Sequence, residues 1–307
     1  MQVYLPIAEM AISAESIFMV SAFVGFLSGL FGIGGGFLTT PFLIFTGVPP
    51  AIAVGTQPCQ IVANGTSGVL GHLRKGHVDF KMGGFMLMGS TAGSVIGISI
   101  FKLLQYLGQI DFVISVLYVV LLSSIGTLML AESAFSMFFK KKNMRSEFNT
   151  NKISNFKAAL PFKTRFSRSN LYISAVLPVG VGFIGGILAS ILGIGGGFLL
   201  VPAMIYIIGM PTLVVAGTSL FQIIFTTSIS TMLHAVTNNT VDALLAAILI
   251  AGGVIGAQVG VLFTGKIRPL HARIMLALLI IIVSIQLSGN LFIAPEEIFS
   301  TVVRGGH

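Results

Sequence analysis

Charge is scarce in this sequence: 8% of its 307 residues are charged against 55% hydrophobic, and the mean hydropathy is +0.99. Such a chain has too little polar side-chain surface to cover a water-soluble globule. Cysteine is nearly absent. Cys59 stands alone, which excludes an intrachain disulfide framework and a cysteine metal site, and mid-segment it reads as a small buried hydrophobe. Met1–Ser16 holds Glu9 and Glu15 but no Lys or Arg, so the basic start of a signal peptide is missing and the first apolar segment is expected to be retained. Apart from Glu132, near the end of its segment, the apolar interiors carry no carboxylate that reads as buried, and carboxylate chains are what proton-driven pumps use. Proton coupling therefore has no support here. No cofactor is called for: neither glycine run follows a strand in a βαβ unit or brings a Walker lysine.

What is present is a series of apolar stretches near the length of a membrane crossing: Ile17–Phe31, Ala51–Gly71, Phe85–Leu104, Phe112–Leu130, Tyr172–Leu192, Val214–Leu233, Ala243–Phe263 and Ile274–Leu291. They predict an all-α, polytopic transmembrane helical bundle. Gly, Ser and Thr inside them suit close helix approach in lipid. The net charge of +8 does not point to nucleic acid, because nine of the seventeen basic residues cluster between Lys140 and Arg168. That block has the composition of a solvated loop facing anionic headgroups on the cytoplasmic side.

Gly-Ile-Gly-Gly-Gly-Phe-Leu occurs at Gly32–Leu38 and again at Gly193–Leu199, 161 residues later. Around it Pro41 matches Pro202 and Pro50 matches Pro211. One insertion later Gly55-Thr56 matches Gly217-Thr218, Gln60 matches Gln222 and His72 matches His234; after another, Val78-Asp79 matches Val241-Asp242. The chain thus divides into a first repeat, 1–138, a basic linker, 139–170, and a second repeat, 171–307. Basic residues favour the cytoplasmic side. They place the linker, the Arg74 loop and the Lys266 loop inside and both termini outside, so that equivalent loops fall on opposite faces and the repeats are inverted. Ser16–Gly47 and Leu171–Gly209 must then enter and leave on one face, each as a re-entrant hairpin or a pair of short helices broken at the glycines.

Three consecutive glycines cost a continuous helix about 1 kcal/mol each, and unwound backbone at membrane depth is tolerated where protein buries it or where it lines a cavity. Breaks at matching positions of two inverted repeats point to a transport site. The candidate substrate-binding residues are Gly34, Gly35, Gly36, Thr39, Thr56 and Gln60 in the first repeat, and Gly195, Gly196, Gly197, Thr218, Ser219 and Gln222 in the second. Gln57, Asn64 and Thr226 continue the polar stripe. The competing reading of the glycines is tight helix packing alone, and of the stripe, interhelical hydrogen bonds without a ligand. A helix restarting at Phe37–Pro41 could turn its positive end toward an anion. His72 and His234 read as interfacial structural histidines at helix ends.

The duplicated motif with its following Pro, then Gly-Thr and Gln, resembles the sulfite exporter TauE/SafE family of membrane permeases over Ser16–Leu104 and Leu171–Leu291. The second copy, Gly193–Pro202 with Ala216–Leu220, is closer to the family pattern than the first, where Thr40 precedes Pro41 and Gln57-Pro58-Cys59 replaces Ser219-Leu220-Phe221. The resemblance implies a bacterial inner-membrane carrier of sulfite, sulfoacetate or a related organosulfur anion. The expected partners are a small anionic solute and the bilayer, with a homo-oligomer left open. A passive anion channel shares these features; an intramembrane enzyme is disfavoured, since no metal set and no nucleophile–base pair can be read.

Overall fold

The computed structural model describes residues 2–31, 36–74, 76–138, 161–166, 168–169, 171–263 and 269–292. A short hairpin, β1 (Gln2–Leu5) and β2 (Met10–Ser13), leads into α1 (Ala14–Phe31), α2 (Gly36–Phe45), α3 (Pro50–Arg74), α4 (Phe80–Tyr106) and α5 (Ile110–Phe138). A second hairpin, β3 (Lys163–Phe166) and β4 (Leu171–Ser174), leads into α6 (Val176–Leu192), α7 (Gly197–Pro202) with a π-helical turn Ala203–Ile208, and α8 (Thr212–Leu233) with a π-helical turn His234–Asn238. The chain closes with α9 (Ala243–Phe263) and α10 (Pro269–Phe292). Four of the described helical stretches, Phe80–Tyr106, Ile110–Ala131, Val214–Asn238 and Ala243–Gly260, are long and apolar enough to cross a membrane by length and composition. The chain is an all-α polytopic bundle.

The halves interlock. α1 packs along α9 and α4 along α6, so the first helix of each half lies on the fourth of the other; α3 pairs with α8, and α5 with α10. Glycines make the exchanged contacts close enough for backbone to meet backbone. A Cβ added at Gly25 would strike Gly253 O and at Gly256 would strike Ala22 O; reciprocally, at Gly93 it would strike Phe183 O and at Gly186, Ser90 O. In lipid such van der Waals contact replaces the aqueous hydrophobic effect as the force between helices.

The hairpins are a correction to the sequence reading. Tyr172 does not begin a helix: Leu171–Ser174 is a strand, and the end of the basic linker supplies its partner. Residues 139–160 of that linker lie outside the described residues. Both hairpins have one register, Gln2 opposite Ser13 and Lys163 opposite Ser174, each pair 161 residues from its counterpart. Period-2 alternation puts Leu5 and Ile12, and likewise Phe166 and Ile173, on the buried face. Leu5 and Ile12 join a core with Leu245 and Leu249 of α9, while Phe166 and Ile173 join one with Met82 and Met86 of α4. Each hairpin thereby caps a helix of the opposite half. Outward, Phe112, Val120, Leu128, Ile282 and Ile285 are exposed apolar side chains on α5 and α10.

Candidate functional site

The two glycine motifs meet in the middle of the bundle. In the second copy α6 ends at Leu192, and Gly193, Gly195 and Gly196 take left-handed φ of 67°, 72° and 74° before α7 starts at Gly197. Side chains other than glycine rarely adopt this conformation, so the repetition of glycine follows from the backbone path. Residues 32–35 of the first copy, Gly34 and Gly35 among them, lie outside the described residues; Gly36 opens α2 and is buried. A Cβ on Gly36 would press on Ile61 Cδ1 and lie 3.1 Å from Ile194 O; one on Gly195 would lie 2.8 Å from Thr227 Cγ2 and 3.0 Å from Ile61 Cδ1. Ile61 of α3, fully buried, thus touches both motifs. Gly193 stands against Val54 O, one turn before Gln57 on the same side of α3.

Carbonyls at the C-terminal end of α6 are already engaged. Gly193 N–H donates to Ala189 O at 2.9 Å, His234 Nε2–H donates to Ser190 O at 2.8 Å, and the Tyr118 hydroxyl donates to Leu192 O. Nδ1 of His234 accepts from Asn238 Nδ2 at 3.1 Å, and Phe101 meets the ring edge-on at 4.7 Å between centroids. These bonds define a neutral imidazole with both nitrogens satisfied. His234 is completely buried, and the helix continues past it as a π turn to Asn238. His72 is partly exposed, with its ring 6.1 Å from that of His77.

Around the meeting point runs a buried polar stripe. Thr39, Thr56, Gln57, Gln60 and Asn64 in the first half, and Thr218, Ser219, Gln222 and Thr226 in the second, are all buried. Gln60 Nε2 donates to Ser21 Oγ at 2.8 Å, and Gln222 Nε2 donates to Thr226 Oγ1 at 2.9 Å. Ser219 donates to Ala216 O at 3.1 Å. Both amide atoms of Gln57, together with Gln60 Oε1, Asn64 Oδ1 and Gln222 Oε1, are buried without a partner among the described residues. Natural proteins seldom leave such groups unmatched, which marks this stripe as unusual.

Thr56 and Thr218 belong to a separate, reciprocal pair of clamps. Asp242 N–H donates to Thr56 Oγ1 and Asp79 N–H donates to Thr218 Oγ1, both at 3.0 Å, each bond joining one half to the other. Asp79 Oδ1 caps α4 by accepting from Met82 N–H at 3.0 Å, while Oδ2 accepts from Ser169 N–H at 3.1 Å and Ser169 Oγ at 2.6 Å. Asp242 Oδ1 accepts from Leu244 and Leu245 N–H, and Oδ2 from Ile7 N–H, all at 3.0 Å. These buried carboxylates, which the sequence reading passed over, therefore pin each hairpin turn to a helix start of the other half. Val78-Asp79 matching Val241-Asp242 in register was the signal that could have found them. Carboxylates so surrounded by N–H and O–H donors serve as structural anchors.

Comparison with known proteins adds an independent finding. The family model for the sulfite exporter TauE/SafE matches residues 17–287. The chain is 28% identical over 282 residues to the probable membrane transporter protein YunE of Bacillus subtilis (strain 168), covering 88% of this chain and 97% of that protein. It is 31% identical over 245 residues to a probable membrane transporter protein of Xylella fastidiosa (strain 9a5c), covering 79% and 82%. A more distant relative, probable membrane transporter protein MJ0441 of Methanocaldococcus jannaschii, is 26% identical, with 85% and 90% covered. No solved structure matches.

Proposed function

The chain belongs to the sulfite exporter TauE/SafE family of membrane transporters, and from that premise we propose that it is a permease for a small anion, sulfite, sulfoacetate or a related organosulfur compound. The observation that carries this reading is the meeting of the two glycine motifs at one buried point, with Gly36 against Ile194 O and both Gly36 and Gly195 against Ile61. Broken helices that converge from the two halves of a duplicated transporter form the solute site in other folds, because peptide groups released from the helical ladder bind the solute without a charged side chain. α2, starting at Gly36, turns the positive end of its dipole toward this point, which suits an anion. Gln57, Gln60, Asn64 and Gln222 line the approach.

In this reading the halves are inverted in a bacterial inner membrane, the basic linker lies in the cytoplasm and both termini lie outside. The exchanged packing of α1 on α9 and α4 on α6 provides two bodies that can rock about the α3–α8 pair. Exposed apolar faces of α5 and α10 lie against lipid.

Uptake of labelled sulfite and sulfoacetate into proteoliposomes tests the proposal. Saturable flux showing counterflow is expected for the wild type, and loss of it in Gly196→Leu, with Gly180→Leu as control because a side chain there meets open space. Both variants are checked for a wild-type-like thermal transition in detergent. Flux unaltered by Gly196→Leu sinks the site, flux that never saturates makes the protein a channel, and absence of flux for every sulfur anion refutes the substrate class.

A further inference from the structure

Gln60 of α3 and Gln222 of α8 stand at matching positions of the two halves, each beside a buried hydroxyl. Ser21 Oγ donates its only proton to Leu249 O at 2.5 Å, so at 2.8 Å Gln60 must turn Nε2, not Oε1, toward Ser21. In the second half Gln222 Nε2 donates to Thr226 Oγ1 at 2.9 Å, and Thr226 Oγ1 lies 2.8 Å from Ser90 Oγ. For Gln60 the amide orientation follows from the bonding chain and not from the placement of indistinguishable atoms. Both glutamines are thus left with Oε1 unmatched inside the bundle, and Asn64 Oδ1 and Gln57 Oε1 join them.

Spacing places the α3 members of this set together. Residues 57, 60 and 64 share one face of α3, beside Ile61, which touches both glycine motifs. Three carbonyl oxygens on that face, those of Gln57, Gln60 and Asn64, have no donor, and Gln57 Nε2 has no acceptor. A fully deprotonated oxyanion brings only acceptors and would leave these oxygens unsatisfied; a solute that brings its own donors would satisfy them.

We propose that the stripe of Gln57, Gln60, Asn64 and Gln222 selects an anion that also carries a hydrogen-bond donor: a singly protonated oxyanion, or an organic anion bearing a hydroxyl or ammonium group. The anionic end lies at the glycine break and the donor end on the amide oxygens. This rests on the permease reading above and deepens it. A site built to receive a donor rejects an isostere lacking it far more strongly than an apolar pocket does, because its own buried acceptors are then left unpaired.

Two sulfonates differing by one hydroxyl, 2-hydroxyethanesulfonate and ethanesulfonate, test the inference as inhibitors of labelled-sulfite counterflow in proteoliposomes, in sodium and in potassium buffer. The hydroxyl-bearing compound is expected to inhibit at a concentration at least about tenfold lower, with that ratio falling toward one in Gln60→Leu and Gln222→Leu. Each variant is confirmed folded by its thermal transition. Equal inhibition by the two compounds, with sulfite counterflow intact, overturns the inference and leaves the permease reading standing. A ratio that persists in both variants overturns the assignment to these glutamines, and one seen only in sodium gives the oxygens to a cation instead. Absence of counterflow in the wild type with labelled sulfite and with labelled sulfoacetate alike overturns the permease reading and this inference with it.

Discussion

Replacing Gly195 by alanine measures how far the glycine break is dictated by its backbone. The residue sits at φ +72°, where a side chain other than glycine costs about 1–2 kcal/mol. The new methyl group would lie 2.8 Å from Thr227 Cγ2 and 3.0 Å from Ile61 Cδ1. Thr227 cannot simply swing aside, since its hydroxyl is tied to Ile223 O at 2.7 Å, so overpacking adds about 1–3 kcal/mol. Reduced freedom of the unfolded chain returns about 0.4–1 kcal/mol, leaving a net loss of about 1–4.5 kcal/mol. Gly180→Ala is the matched control: it lies within α6, exposed, with nothing within 4 Å of an added Cβ, and should gain up to about 1 kcal/mol from helix propensity. Thermal unfolding in detergent should separate the two variants by several degrees, with Gly195→Ala below the wild type and Gly180→Ala at or above it. A Gly195→Ala protein as stable as the wild type, or a Gly180→Ala protein equally destabilised, would refute the reasoning.

Asp79→Ala removes the cap on Met82 N–H and both bonds from Ser169, and should cost about 2–4 kcal/mol and expose the 163–174 hairpin to limited proteolysis; Asp79→Asn, keeping the cap, should lose less. Protease resistance unchanged in Asp79→Ala would show that the hairpin is held by its apolar face alone. His234→Leu strands Ser190 O and the Asn238 amide and should lower stability by about 2–3 kcal/mol. His234→Gln, able to donate to Ser190 O, should recover part of the loss; equal melting temperatures for the two variants would argue against the hydrogen bond as the cause.

Most of the bundle was legible in the sequence because its signals are one-dimensional. Helices need long apolar runs, and duplication leaves matching residues at a constant offset. The two hairpins escaped notice because strands of four residues give too short an alternation to stand out, and Lys163–Phe166 sits within a basic stretch that reads as solvated loop. A faint signal existed: Ile12-Ser13 and Ile173-Ser174 share the 161-residue offset of the glycine motif. The interior aspartates were missed for a related reason. Both lie at helix starts, where polar residues are ordinary, and it is the fold that brings Ile7 and Ser169 to them as donors.

The amino-acid order by itself determined that this chain is apolar enough for a multi-pass bundle, that it carries one unit twice, and that it concentrates glycine at one point of each unit. Only the tertiary structure decided which helices pair across the halves, that Gly36 and Gly195 share Ile61, and that Tyr118 and His234 are occupied in capping α6. It also decided which amide atoms are left over. The reason is that periodicity and repetition are properties of neighbours along the chain. Hydrogen-bond satisfaction is a property of neighbours in space: whether Gln60 is spare or spoken for depends on Ser21 and Leu249, 39 and 228 residues from the groups that bond to them.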